Sequence, residues 1–206
     1  MKNFFATILL IIFCHSANAT KYIEGVHYEQ LPYPVTTNVE PGSIEVVEIF
    51  WYGCPHCYEL EPYIDKWLKS KPQNVVFTRL PAVFNKLWEV HAKAYYALFL
   101  MEALDQANRI IFEGMHAQGR LLKNLDSITR FLKQNNIDDK KFASLYVSDD
   151  VKKLVSEAGD LVDAYDIHGV PAIIVDGKYR VTGKMAGSYQ GMLDITDYLV
   201  KRESSR

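Results

Sequence analysis

Two cysteines separated by two residues, Cys54 and Cys57, have the type and spacing that most directly imply chemistry in this chain. An apolar stretch and a turn precede them, and a helical pattern follows. In that setting Cys-x-x-Cys is typical of a thioredoxin-like redox motif. Unpaired N–H groups and the helix dipole at a helix N-terminus favour a thiolate at Cys54, the form that attacks disulfides. Cys57, about one turn further on, could then resolve a mixed disulfide at Cys54.

A structural disulfide, half of a zinc site and a haem attachment site are the other interpretations of this pair. A structural zinc site needs two more Cys or His ligands at similar spacing, and the only other cysteine is Cys14. Haem attachment needs a histidine directly after the second cysteine. Here Tyr58 follows, and His56 lies between the cysteines. The pattern therefore favours a redox dithiol without a metal.

The N-terminus has the pattern of an export signal. Lys2 precedes an apolar run over residues 4–13, and Ala-Asn-Ala at residues 17–19 is a small-x-small cleavage site. These features predict a secretory signal peptide over residues 1–19 and a mature chain that begins at about Thr20.

Removal of that segment would leave the Cys-x-x-Cys pair as the only cysteines. An exported protein with only these cysteines is expected to use them for chemistry rather than as a crosslink. The net charge of −2 gives no sign of nucleic-acid binding, which usually shows as a basic patch or stripe. No apolar run reaches membrane-spanning length. We take a monomer as the default.

The elements that must position the cysteines follow from hydrophobic patterning. Residues 44–51 form a near-continuous apolar run, typical of a central strand covered on both faces. Residues 55–71 should form the active-site helix, because Pro55 has no N–H to lose at a helix start. Residues 74–80 predict a parallel neighbouring strand, and residues 84–148 have a helical pattern.

This order predicts an α/β protein with a thioredoxin fold and a helical insertion. The thioredoxin-like domain would comprise residues 20–83 and 149–206, and the insertion residues 84–148. Further expectations concern the rest of the thioredoxin-like domain. An edge strand is expected near residues 26–31, a helix capped by Ser148, and a hairpin with a two-residue Asp176-Gly177 turn. The chain should end in a helix capped by Ser188 and a frayed tail from Lys201.

Glu48 is out of place in the apolar strand. A carboxylate inside a buried strand is costly unless it is paired or protonated. It could simply lie at an exposed edge position. The functional interpretation is a buried acid beneath the cysteines that relays the proton of Cys57.

A second motif, Gly-Val-Pro-Ala at residues 169–172, precedes the hairpin. Its proline, Pro171, could be an ordinary strand-entry residue or could follow a cis peptide bond. With this motif the chain resembles the DsbA family. The resemblance also depends on Cys-Pro-His-Cys-Tyr at residues 54–58, on the Val-Val-Glu-Ile-Phe strand before it, and on Asp-Gly-Lys-Tyr at residues 176–179. These proteins are thioredoxin-fold thiol oxidants of the bacterial periplasm.

The resemblance implies roles for several residues. It favours a cis Val170–Pro171 bond beside Cys54, with the amide and carbonyl of Val170 free to pair with an extended substrate. Glu48 matches the family's buried glutamate, and Glu61 and Arg79 match charged positions near it. Two weaker candidates for substrate contact are His168, which could equally be a solvent-facing loop residue, and Tyr58, placed in an apolar collar with Trp51, Tyr52 and Met185.

The resemblance also implies a reaction and partners. The Cys54–Cys57 disulfide would be donated to exported proteins with free thiols, and a DsbB-like membrane quinone reductase would reoxidise the pair, with no further cofactor. His56 is expected to stabilise the Cys54 thiolate, which makes it a better leaving group. The alternatives are an isomerase or reductase on the same fold, a copper or zinc metallochaperone, and a non-catalytic chaperone.

Overall fold

The computed structural model describes residues 21–205, which fold around a five-stranded mixed sheet. The predicted signal peptide lies outside these residues. The strands are β1 (Glu29–Gln30), β2 (Ile44–Phe50), β3 (Val75–Pro81), β4 (Ala172–Val175) and β5 (Tyr179–Thr182). They lie in the order β1-β5-β4-β2-β3, so the strand that leads to the cysteines is flanked on both sides.

The central strand β2 runs parallel to β3 and antiparallel to β4. Both the central position and the parallel neighbour agree with the sequence prediction. Glu48 lies opposite Arg79 on β3 and opposite Ile173 on β4, and its side chain is 0% exposed. The alternative of an exposed edge position for Glu48 is therefore wrong.

The hairpin between β4 and β5 is present, but its loop is longer than predicted. Asp176 and Gly177 have φ values of 53° and 60°, which suit the central positions of a type I′ turn. The N–H of Lys178 donates to the Val175 carbonyl at 3.0 Å. Because Val175 pairs with Tyr179, three residues rather than two separate the paired ends.

Two hydrophobic cores lie on opposite faces of the sheet. The first contains side chains of helices α1 (Pro55–Leu68) and α8 (Tyr189–Ser204). The second contains side chains of the helices between β3 and β4. These are α2 (Lys86–Leu100), α3 (Leu104–His116), α4 (Leu125–Gln134), α5 (Asp139–Tyr146) and α6 (Asp149–Ala164). The order of strands and helices is that of a thioredoxin sheet with inserted helices.

The sequence predicted the helical character of residues 84–148 and the start of α6. The Ser148 hydroxyl accepts from the N–H of Val151 at 3.2 Å, as an N-cap does. Ser188 caps α8 in the same way, with Gly191 as donor at 2.9 Å. The division of the chain into two domains at residues 84 and 149 stays a prediction.

The C-terminal segment corrects the expectation of a frayed tail. Helix α8 continues to Ser204 because Glu203 is buried and accepts from Lys178 Nζ at 2.7 Å and from the Tyr179 hydroxyl at 2.9 Å. Arg202 donates to the Tyr28 hydroxyl at 2.8 Å. A short helix, α7 (Gly183–Ala186), was not predicted. None of the helices in residues 21–205 has the length and apolar character needed to cross a membrane.

Candidate active site

The turn after β2 places both cysteines at the start of α1. Cys54 is the N-cap residue of that helix, and Pro55 occupies its first turn. The N–H of Cys54 donates to the Trp51 carbonyl at 2.9 Å, which closes the turn. The N–H of Cys57 points at the Cys54 sulfur from 3.4 Å. The structure holds both cysteines as free thiols.

Cys54 is prepared to be a thiolate. Its pKa is lowered from 9.0 to about 6, chiefly because the Cys57 thiol donates a hydrogen bond to it. The backbone N–H groups of Cys57 and His56 lower the pKa further, and the charge of His56 adds a smaller contribution. Partial burial acts in the opposite direction. The helix N-terminus therefore does what the spacing predicted, but the second cysteine contributes most.

Cys57 is prepared for the opposite role. It is 0% exposed, and burial raises its pKa well above 9.0. Its hydrogen bond to Cys54 and the negative charges of Cys54 and Glu48 raise it further. The pair therefore holds one thiol of low pKa, which is 7% exposed, and one fully buried, protonated thiol. Stepwise thiol–disulfide exchange uses these two different roles.

The loop before β4 faces the cysteines. The Val170–Pro171 peptide bond is cis, and the Val170 carbonyl oxygen lies 3.6 Å from the Cys54 sulfur. This carbonyl accepts from the Cys54 S–H while Cys54 is protonated, and it loses that donor when Cys54 is a thiolate or part of a disulfide. The proline adds no N–H that could compete for the thiolate.

The contacts of the His56 side chain are with Tyr189 and Glu59. Its Nδ1 lies 3.0 Å from the hydroxyl oxygen of Tyr189 on α8. That hydroxyl donates to the Glu59 carboxylate at 2.6 Å, and Glu59 itself lies 3.5 Å from His56 Nδ1. The imidazole thus acts on Cys54 through its charge and its backbone N–H, not through a side-chain hydrogen bond.

Glu48 belongs to a buried polar cluster beneath α1. Arg79 Nε donates to Glu48 Oε2 at 2.8 Å, and another nitrogen of Arg79 contacts both Glu61 oxygens at 3.2 Å. Asn108, from α3, donates to Glu61 at 3.1 Å. The second carboxyl oxygen of Glu48 and the side-chain amide oxygen of Asn108 are buried without a hydrogen-bond partner among residues 21–205. One guanidinium is thus shared between two carboxyl groups.

Burial leaves both acids hard to ionise, although Arg79 acts in the opposite direction. Burial raises the pKa of Glu48 despite the attraction of Arg79. Burial and the charge of Glu48 raise the pKa of Glu61 to about 8. A carboxyl group that holds a proton near neutral pH can exchange it with a neighbour. The charge of Glu48 already influences Cys57, so the two groups are electrostatically linked.

A groove of about 970 Å³ runs along the cis-proline loop, between α1, β5 and the start of α8. Val170, Pro171 and His168 line it, together with His56. The His168 side chain is exposed, and its Nε2 lies 2.9 Å from Asp166. Four of the candidate residues therefore meet at one surface.

Tyr58 does not join them. It lines a second groove, of about 1450 Å³, between α1, β3 and the inserted helices. There its ring stacks on His116 at 5.1 Å. The proposed collar is also divided: Tyr52 is buried, Trp51 stacks on Trp88 at 4.3 Å, and Met185 alone reaches the cis-proline groove. No continuous collar forms because the inserted helices cover the first two.

Two site residues escaped the sequence analysis. In the sequence, Tyr189 is only the residue after the Ser188 cap, and Asn108 lies within the helical pattern of residues 84–148. Each acts through a long-range contact, 133 residues from His56 and 47 residues from Glu61 respectively. No local pattern marks such a contact. Among residues 21–205 no group of three or more His, Cys, Asp or Glu side chains could hold a metal ion.

A Cys-x-x-Cys pair at a helix N-terminus, facing a cis-proline loop on a thioredoxin sheet, defines a thiol–disulfide oxidoreductase. Comparison with known proteins agrees. A family model described as a DSBA-like thioredoxin domain matches residues 76–188. The thiol:disulfide interchange protein DsbA of Pseudomonas aeruginosa is 38% identical over 98% of this chain and 97% of its own length. The DsbA of Azotobacter vinelandii is 40% identical over 88% of this chain and 84% of its own length.

Solved structures match as well. The crystal structure of P. aeruginosa DsbA has a TM-score of 0.85 at 38% identity, covering 89% of this chain and 95% of that one. DsbA from Xylella fastidiosa has a TM-score of 0.81 at 30% identity, covering 87% and 96%. The chain belongs to the DsbA family of thiol:disulfide interchange proteins. The family model begins after the cysteines, but the full-length relatives span them.

Proposed function

We propose that this protein donates the Cys54–Cys57 disulfide to exported proteins. A substrate thiolate attacks the Cys54 sulfur, the Cys54–Cys57 bond breaks, and Cys57 leaves and takes up a proton. A second substrate thiolate then attacks the substrate sulfur of the mixed disulfide, and Cys54 leaves as a thiolate. The substrate gains a disulfide, and the protein retains two electrons as a dithiol.

The observation that carries this direction is the lowered pKa of the Cys54 thiol. A thiol whose pKa is about 6 is a good leaving group in the second step. Cys57, with its raised pKa, holds a proton once it has been released. The lowered pKa of Cys54 stabilises the reduced protein relative to an ordinary dithiol, and therefore favours giving the disulfide away.

Glu48 supplies the proton that Cys57 takes up and accepts it again when the dithiol is reoxidised. This role is supported by its complete burial, its raised pKa and its electrostatic link to Cys57. Arg79 and Glu61 tune the ionisation of Glu48 by sharing one positive charge.

The substrates are extended chains with free thiols. The sulfur of Cys54 carries no hydrogen in the mixed disulfide, so the Val170 carbonyl is then available to a substrate N–H. Such backbone pairing does not depend on the substrate's sequence. We place the protein, as a monomer, in the periplasm after removal of residues 1–19, with a DsbB-like membrane quinone reductase as its oxidant.

The test is a titration of the Cys54 thiolate absorbance against pH, combined with equilibration against glutathione. A pKa near 6 with an equilibrium that favours the reduced protein supports disulfide donation. A pKa near 9 with an equilibrium that favours the oxidised protein would instead make the protein a reductase or isomerase that needs an electron supply.

A further inference from the structure

The charged residues that line the cis-proline groove are unequally partnered. Glu29 is the one acidic residue among them. Its carboxylate lies 2.6 Å from one terminal nitrogen of Arg180. The other terminal nitrogen of Arg180 lies 3.0 Å from the Asp166 carboxylate. Arg180 donates to the Tyr165 and Asp166 carbonyls as well. Both charges of this pair are therefore satisfied within the protein.

The two histidines of the groove also have partners. His56 contacts Tyr189 and, at a longer distance, Glu59. His168 contacts the same Asp166 that faces Arg180. Asp166 is thus shared between Arg180 and His168, and Glu59 between His56 and the Tyr189 hydroxyl.

Lys184 is the exception. It lies on α7, directly after β5, and lines the groove beside Met185. Among the ion pairs of residues 21–205, none involves the Lys184 ammonium. The Thr182 hydroxyl caps α7 by accepting from the Met185 N–H at 3.4 Å, which fixes the backbone that carries this charge. Lys184 is thus the cationic residue of the groove lining that no carboxylate among residues 21–205 pairs with.

We propose that Lys184 makes the groove selective for thiol substrates with an acidic side chain close to the reacting cysteine. The inference rests on the disulfide-donating function proposed above. Alternate side chains of an extended chain point to the same side, so a residue near the cysteine can face α7 while the backbone pairs at Val170. Complementary charge of this kind raises association rates and sets preference among substrates.

The test uses dithiol peptides in sets of three. Within a set, one residue next to the first cysteine is Glu, Gln or Lys, and each neighbouring position is varied in its own set. The initial second-order rate at which each peptide reduces the oxidised protein is measured. A charge beside a cysteine changes the reactivity of the peptide thiol itself. Each rate is therefore divided by the rate of the same peptide with hydroxyethyl disulfide, which is small and neutral.

At low salt, and at one or more of these positions, the normalised rates should follow the order Glu, Gln, Lys, with steps of about 1.5- to 5-fold, the range of exposed ion pairs. High salt should remove the difference. The three rates should converge in Lys184→Gln, and the order should reverse in Lys184→Glu. The control Lys201→Gln removes an equal charge at the far end of α8 and should change nothing.

Equal normalised rates at every position in the unsubstituted protein would overturn the inference, as would an order that persists in Lys184→Gln. In both cases the peptides are still oxidised, so disulfide donation stands. If no peptide reduces the protein, the proposed function fails, and the inference fails with it.

Discussion

Replacing Cys57 with alanine should raise the pKa of Cys54, because the thiol of Cys57 is the largest contributor to its lowering. A hydrogen bond to a charged group contributes about 1.5–3 kcal/mol, and one pKa unit corresponds to about 1.36 kcal/mol. The loss should therefore amount to about 1–2 units. Since the pKa of Cys54 is about 6 with Cys57 in place, the variant should titrate between about 7 and 8.

The assay is the ultraviolet absorbance of the thiolate, followed against pH in variants that retain only Cys54. Cys57→Ala and Cys57→Ser form a matched pair, because serine keeps a hydroxyl donor at nearly the same place. The serine variant should titrate below the alanine variant. At pH 7 the thiolate fraction should fall from about nine-tenths in the native dithiol to between about one-half and one-tenth in Cys57→Ala.

A Cys57→Ala variant that still titrates near 6 would refute this reasoning. The backbone N–H groups and the charge of His56 would then be sufficient. His56→Gln separates those contributions, because it removes the imidazole charge and leaves the backbone donor. That substitution should move the pKa of Cys54 less than Cys57→Ala does.

Three further predictions concern the buried charges. Glu48→Gln should slow reoxidation of the dithiol by up to about a hundredfold and change its pH profile; an unaltered rate and profile at every pH would exclude a proton relay. The second prediction concerns the oxidised protein, in which the thiols do not titrate. Folded Glu61, whose pKa is raised to about 8, retains a proton that the unfolded chain releases. The free energy of urea unfolding should therefore fall as the pH rises from about 4.5 to 8. This slope should flatten in Glu61→Gln, and a slope that persists there must come from other groups. Glu203→Ala should cost about 1–3 kcal/mol of unfolding free energy through the lost bonds to Lys178 and Tyr179; a cost no greater than that of Lys201→Ala would mean that the C-terminal turn is not anchored.

The elements with strong local signals could be predicted from the sequence. The apolar run of β2 and the proline at the start of α1 depend on neighbours only a few residues away. The two serine caps likewise lie within three residues of the N–H groups they satisfy. These signals position the cysteines correctly because the geometry there is set mainly by the backbone. The cis bond before Pro171 was implied only by the resemblance to the DsbA family, and the structure confirms it.

The direction of individual side chains could not be predicted in the same way. The orientation of His56 depends on Tyr189, and the position of Glu61 depends on Asn108. The last turn of α8 looked like a polar tail, because its anchors lie on the β4–β5 hairpin. In each case the decisive partner is distant in the sequence, and the residue itself has an ordinary local pattern.

The pairing of Glu48 with Arg79 has a consequence for folding accuracy. The two residues lie directly opposite each other on the parallel strands β2 and β3. A shift of one residue between these strands would turn Arg79 to the other face of the sheet and leave the carboxyl group of Glu48 buried without its cation. Removing one partner of a buried polar pair costs about 3–5 kcal/mol, whereas the apolar neighbours on β2 would tolerate the shifted alignment more easily. The polar pair therefore discriminates against misaligned strands while the sheet assembles, before any disulfide is exchanged.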